Sequence, residues 1–170
     1  MRPSASRRPA TVREKIGVEP TGLPFDTLMG IDRRDRHPLN PMVNAGAIAI
    51  TDFIAGDSVD QRVELMRSMY ERYLGRRPEI DHDVWRSERS TGDRNRAIAY
   101  LMRGRGIVGD DVESTLDVYF AQCSVLVTAA DLAVIGATIA NHGVHPTTGE
   151  RVVPREVTRD MLTVALTCGM

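Results

Sequence analysis

The sequence predicts a mainly α protein. Apolar residues recur at three- and four-residue spacing after residue 44, capping residues stand where helices should start and stop, and strict apolar–polar alternation is almost missing. At 170 residues the chain has the length of one domain and enough polypeptide to bury a true core.

The opening differs from the rest. Arg2, Arg7, Arg8 and Arg13 all precede the first acidic residue, Glu14, and lie among Pro3, Ser4, Ser6 and Pro9. Residues 1–15 therefore read as a disordered, Arg-rich start or as sequence translated from a misplaced start, with a targeting or anion-binding arm as the functional alternative. Residues 16–170 read as the domain. From Thr21 to Pro41, Pro, Gly and the charge run Asp32-Arg33-Arg34-Asp35-Arg36 predict irregular, mostly exposed structure.

A helix follows over 44–54, where Ala45, Gly46, Ala47 and Ala49 allow another backbone to come close. Gly46 costs helix stability of about 1 kcal/mol against Ala, which packing must offset. Val63, Met66, Tyr70 and Tyr73 or Leu74 mark the next helix, with Ser58 and Gln61 in a capping-box pattern and Gly75 at its end. Further helices are predicted over 92–102, 111–121, 129–141 and 154–167. Asp110 with Glu113, Thr128 with Asp131, Gly143 and Pro154 punctuate them. Only Arg151-Val152-Val153 and the stretch Cys123 to Val127 look extended, and the sequence contains no internal repeat.

Composition narrows the function classes. A 42% apolar fraction and a net charge of −1 argue against a polyanion-binding surface as the main purpose, so a nucleic acid partner is not expected. No apolar run reaches the ~18 residues a membrane span needs. Cys123 and Cys168 lack metal-ligand spacing and read as reduced thiols in a cytoplasmic protein. His142 and His145 are split by Gly143 and read as a turn rather than a metal site; His37 and His82 are isolated. Met42, Met66, Met69 and Met102 read as core or gap-filling residues.

Two longer motifs carry more. Asn40-Pro41-Met42-Val43-Asn44-Ala45-Gly46-Ala47-Ile48 and Ser87-Glu88-Arg89-Ser90-Thr91-Gly92-Asp93-Arg94-Asn95 resemble the glutaminases of the serine-dependent β-lactamase-like superfamily. The resemblance runs from Ile16-Gly17-Val18-Glu19-Pro20-Thr21-Gly22 through Leu116-Asp117-Val118-Tyr119-Phe120 to Cys168-Gly169-Met170; Ser90 departs from it, standing where relatives often carry an acidic or other residue. It implies the helical middle portion of a β-lactamase/DD-peptidase-like α/β fold with most sheet strands missing. Hydrolysis of L-glutamine to L-glutamate and ammonia is the implied activity, with no metal or organic cofactor. Complete relatives are typically homo-oligomers.

By the same resemblance Asn44, Glu88, Asn95 and Tyr119 are substrate contacts, with Glu88 at the α-ammonium of glutamine and Asn44 at its carboxylate. Their chemistry suits a zwitterion bearing an amide. Each also has a plainer reading. Asn44 can cap a helix, Glu88 and Asp93 can join Arg86, Arg89 and Arg94 in a solvated ion-pair cluster, Asn95 can face water, and Tyr119 can be a core aromatic. No catalytic residue is assigned, because the family's nucleophile is a serine followed three residues later by a lysine. The only lysine here is Lys15, and Val12 stands three residues before it. The expectation is an isolated chain that does not turn over glutamine, with a non-catalytic amino-acid-binding or assembly module as the alternative.

Overall fold

The computed structural model describes residues 8–22, 24–26 and 37–169. Eight helices follow one another among them: α1 (Arg8–Lys15), α2 (Asn44–Thr51), α3 (Val59–Leu74), α4 (His82–Thr91), α5 (Asp93–Arg103), α6 (Val112–Cys123), α7 (Ala129–Ala140) and α8 (Arg155–Cys168). No sheet forms among the described residues. The two extended stretches contribute only isolated antiparallel bridges, Ile80 with Val125 and Val144 with Arg151, and Cys123 closes α6.

Helix α6 is the centre. Its apolar residues face several directions, so it can be satisfied only by neighbours on several sides. α2, α3, α4 and α5 all pack on it. Leu116 and Phe120 enter one cluster with Ile48, Ala49, Ile98, Ala99 and Met102, while Val118 and Ala121 meet Val63 and Met66 in a second. Met66 and Met102 thus fill core positions, whereas Met42 and Met69 are exposed, contrary to expectation. A buried polar chain stitches the same elements. Arg62 donates to the Thr51 carbonyl at 2.8 Å and to the Thr115 hydroxyl, which donates to Asp52 at 2.9 Å.

Local signals set the helix ends, with small shifts. Ser58 accepts from Gln61 N at 3.2 Å, but the Gln61 side chain accepts from Asp57 N and not from Ser58. Gly75 closes α3 at φ 68°, the left-handed region that glycine adopts most easily. Thr128 and Asp131 form the full reciprocal capping box, and Arg76 pairs with Asp131 from α3's end. Asp111, not Asp110, caps α6; Asp110 pairs with Arg103. Pro154 lies one residue ahead of α8 instead of inside it. The histidine turn is present, with His142 at φ 56° and the buried His145 accepting from Thr147 N and Thr148 N through Nδ1.

Three expectations need correction. The start expected to lack order is helical over Arg8–Lys15, because Val12 and Ile16 reach the main core and Lys15 Nζ donates to the Gly106 and Ile107 carbonyls, each at 2.9 Å; residues 1–7 lie outside the described residues. The segment 21–41, whose charge run also lies outside them, ends in buried Pro38 and Asn40 rather than exposed coil. Helix α4 was not expected at all. Its only apolar side chains are the adjacent Val84 and Trp85, so no apolar residues recur along it at helical spacing, and none of its side chains is fully buried. Asp81 nevertheless caps it, and Trp85 Nε1 donates to the Asp117 carbonyl at 3.2 Å, fastening it to α6.

Two glycines in helices should respond oppositely to a methyl group. A Cβ at Gly46 would lie 2.0 Å from the Asn40 carbonyl oxygen, while at Gly136 it would meet nothing within 4 Å. Gly46→Ala is expected to destabilise by about 3 kcal/mol and Gly136→Ala to stabilise by about 1 kcal/mol, as read from urea unfolding. The Arg76 guanidinium holds the Asp131 carboxyl well below the usual carboxylate range, helped by the Thr128 N–H. A lowered native pKa stabilises above the unfolded value and ceases to do so as acid protonates the native group. Asp131→Asn should therefore be less stable than wild type at pH 7 and pH 5, with the gap closing below about pH 4.

Candidate functional site

The four residues marked by the sequence come from α6 and three of the four helices that pack on it. Asn44 opens α2, Glu88 lies on α4, Asn95 on α5 and Tyr119 on α6. α2 packs on α5, and both they and α4 pack on α6. Glycines make two close approaches workable: Gly92 lets α6 come near, since a Cβ there would lie 2.5 Å from Phe120 Cζ, and Gly46 admits the Asn40 carbonyl of the turn before α2.

Asn44 is not a cap. Val43 occupies that position without a side-chain bond, and Asn44 Nδ2 donates across to Asn95 Oδ1 at 2.9 Å. The capping work falls to Asn40, whose Oδ1 accepts from Met42 N at 2.9 Å and Val43 N at 3.2 Å while its Nδ2 donates to the Glu19 carbonyl at 2.7 Å. Asn40 is almost wholly buried, and the backbone N–H of Asn44 donates to the Phe25 carbonyl at 2.9 Å. These bonds fix where the Asn44 side chain starts. Both asparagines are half-buried, and neither makes a further side-chain bond among the described residues, leaving Asn44 Oδ1 and Asn95 Nδ2 available.

Glu88 does not join the expected ion-pair cluster. Arg86 pairs with Asp83, Arg89 with Asp117 at 2.8 Å, and Arg94 with Asp26 at 3.0 Å. Asp93 is met by Arg96 at 3.7 Å. Among the described residues this leaves the half-buried Glu88 carboxylate with no cationic partner. Its field reaches Tyr119 and Cys123 on the adjacent face of α6. Burial pushes the Tyr119 hydroxyl well above the usual phenol range, with the Cys123 thiol and the Glu88 charge acting in the same direction. The phenol is therefore a neutral hydrogen-bonding group at any physiological pH. Tyr119 is core in its ring, beside Phe120, and polar at its tip.

The structure thus joins Asn44 to Asn95 by a direct bond and sets Glu88 near enough to Tyr119 for its charge to act on the phenol, while no hydrogen bond among the described residues links one pair to the other. Sequence reading missed Asn40, whose spacing to Asn44 signals a turn only once its burial is known. It also missed the placement of Cys123 four residues from Tyr119 on one helix face. Among the described residues no group of three His, Cys, Asp or Glu side chains is placed to hold a metal, and no helix is long and apolar enough to cross a membrane.

An unpaired carboxylate, two amides and a neutral phenol thus come from helices that pack on one another, and comparison with known proteins identifies the family. The chain belongs to the glutaminase family, whose family model matches residues 4–170. A glutaminase of Microcystis aeruginosa is 50% identical over 159 residues, covering 94% of this chain and 47% of that protein. One from Clostridium tetani is 44% identical, covering 94% and 53%. Among solved structures, the probable glutaminase of Bacillus subtilis superposes with a TM-score of 0.91 at 38% identity, over 96% of this chain and 53% of that one. The covalent complex of the Bacillus subtilis glutaminase YbgJ with 5-oxo-L-norleucine, formed by reaction with 6-diazo-5-oxo-L-norleucine, gives 0.83 at 37% identity, over 97% and 51%. The chain spans about half the length of the relatives it matches, and its mainly helical fold corresponds to the helical part of their structures.

The bond between the two asparagines should be measurable. A double-mutant cycle of Asn44→Ala and Asn95→Ala in urea unfolding is expected to give a coupling of about 0.5–1.5 kcal/mol.

Proposed function

We propose that this chain is the substrate-holding part of a glutaminase, which hydrolyses L-glutamine to L-glutamate and ammonia, and that these 170 residues alone do not turn glutamine over. The observation that carries the reading is Glu88. A half-buried carboxylate left unpaired amid arginines that all take other partners is a ready counter-ion for an α-ammonium. Asn95 Nδ2 and the second amide hydrogen of Asn44 can donate to the α-carboxylate, and the neutral Tyr119 hydroxyl can either donate or accept.

Chemistry needs a nucleophile as well. In a complete member a serine hydroxyl, its proton taken by a lysine one helical turn away, attacks the δ-carboxamide. The tetrahedral oxyanion is held by backbone donors, ammonia leaves, and water hydrolyses the glutamyl ester. The covalent norleucine adduct of the Bacillus subtilis relative is consistent with such a bond to the protein. These 170 residues contain no Ser-x-x-Lys, and Lys15 is held by two carbonyls far from this role.

Loss of a serine nucleophile lowers turnover by about 10⁶, which takes a typical ~10 s⁻¹ to about 10⁻⁵ s⁻¹. Purified chain should therefore release no ammonia above background in a coupled assay. Calorimetry separates holding from hydrolysis: millimolar glutamine should give heat with the wild type and bind Glu88→Gln about tenfold or more weakly, in line with a lost hydrogen bond to a charged group. Enzyme-like ammonia release overturns the first expectation, and no heat from folded wild-type chain overturns the second.

A further inference from the structure

We infer that residues 15–19 form a strap that sets α2 against α5, and that Lys15, whose own bonds go to neither amide, is a positioning residue for the Asn44–Asn95 pair. The inference rests on the proposed reading of that pair as substrate contacts and names what holds it in register.

Helices α2 and α5 meet at matching ends. Asn44 is the first residue of α2 and Asn95 the third of α5, and their side chains are bonded at 2.9 Å. Beyond the other ends, Asp52 Oδ2 accepts from Gly109 N at 3.2 Å, so the two helices run parallel. The surface between them includes Ala45 and Ala49 of α2 and Ala99 of α5, all buried in the main core. Short side chains make low ridges, which resist sliding along a helix axis only weakly. A shift of well under 1 Å is enough to lose the bond between the amides, because a contact beyond about 3.5 Å is no longer a hydrogen bond. The register of the pair must therefore be set at the helix ends.

Residues 15–19 hold both ends. At the start of α2, Gly17 N donates to the Pro38 carbonyl and Glu19 N to the Leu39 carbonyl, each at 2.8 Å, and the Glu19 carbonyl accepts from Asn40, whose Oδ1 caps the helix. The fit is close, since a Cβ at Gly17 would lie 2.7 Å from the Leu39 carbonyl oxygen. Past the other ends, Lys15 Nζ donates to the Gly106 and Ile107 carbonyls, which follow α5, and lies 5.8 Å from the centre of the Phe53 ring, which follows α2. Ile16, between the two attachments, is buried in the main core. The lengths agree: the steps from Lys15 to Glu19 span at most about 14 Å, and α2 (Asn44–Thr51) rises about 12 Å. The only lysine of the chain thus clasps the far ends of the two helices whose near ends carry the amides.

The cycle of Asn44→Ala with Asn95→Ala, run by urea unfolding in several backgrounds of this chain, tests the strap. In wild type the two changes should couple by about fivefold in the unfolding constant. Lys15→Met keeps the stem and removes the ammonium, and should bring the coupling below about twofold, the range of independent sites. Lys15→Arg keeps a cation with donors and should retain the coupling. So should Arg13→Ala, which breaks the ion pair between α1 and Asp160 but leaves the strap. A role in stability alone would lower every member of a cycle together and leave their ratio unchanged. Lys15→Gln, one bond shorter than lysine and uncharged, replaces Lys15→Met if that variant does not fold. Calorimetry adds the functional readout: Lys15→Met should bind glutamine about fivefold more weakly than wild type, and Lys15→Arg as wild type does. Coupling that survives Lys15→Met overturns the inference, as does a wild type without coupling, or a Lys15→Met chain that binds glutamine as tightly as wild type. Coupling lost in Lys15→Met and kept in Lys15→Arg, with no heat from wild-type chain and glutamine, leaves the strap standing and counts against the substrate reading instead.

Discussion

Burial of α6 from four sides is the constraint on which the rest depends. A helix carrying Leu116, Val118, Phe120 and Ala121 at essentially no exposure must be met by α2, α3, α4 and α5 at close range, and its polar groups must be answered inside that packing. Thr115 is answered by Asp52 and Arg62, and Ser124 by the Phe120 carbonyl at 2.8 Å. Leaving such groups unanswered would cost about 1–3 kcal/mol each. Close range in turn demands a small residue at Gly92, where a Cβ would collide with the Phe120 ring, while Gly46 leaves room for the Asn40 carbonyl of the turn that leads into α2.

The same packing determines what the polar side chains at the rim can do. Asn44, Glu88, Asn95 and Tyr119 project from helices whose relative positions are set by the core, so their arrangement does not depend on flexible loops. The arginines around Glu88 contribute little to stability, because exposed pairs such as Arg86–Asp83 are worth about 0–1 kcal/mol. Their consequence is different: each is committed to another acid, and none neutralises Glu88. Half-burial keeps that carboxylate's desolvation modest while leaving it responsive to a cation.

Local chemistry was legible in the sequence, and long-range chemistry was not. Thr128 with Asp131, Ser58 with Gln61 N and Gly75 all act within one turn, where spacing alone decides the outcome. Helix α4 was invisible because its ends are set by a cap while its faces bury nothing fully. The charge cluster was misread because Arg89 and Arg94 find acids 28 and 68 residues away, at Asp117 and Asp26. Asn44 was misjudged as a possible cap for the same reason: its partner, Asn95, is 51 residues distant. The family motifs named the four side chains, but only packing could show which of them touch.

On the proposed reading, holding and breaking glutamine are separable in this fold. The proposed substrate contacts belong to α2, α4, α5 and α6, which bury one another and share the two core clusters. Helices α7 and α8 lie outside those clusters and show apolar surface instead. The mutual packing of the contact helices therefore does not depend on α7 and α8. On the proposed reading, the reacting serine and its base are what this layer lacks, along with the exclusion of water that makes an ionic contact in such a site strong.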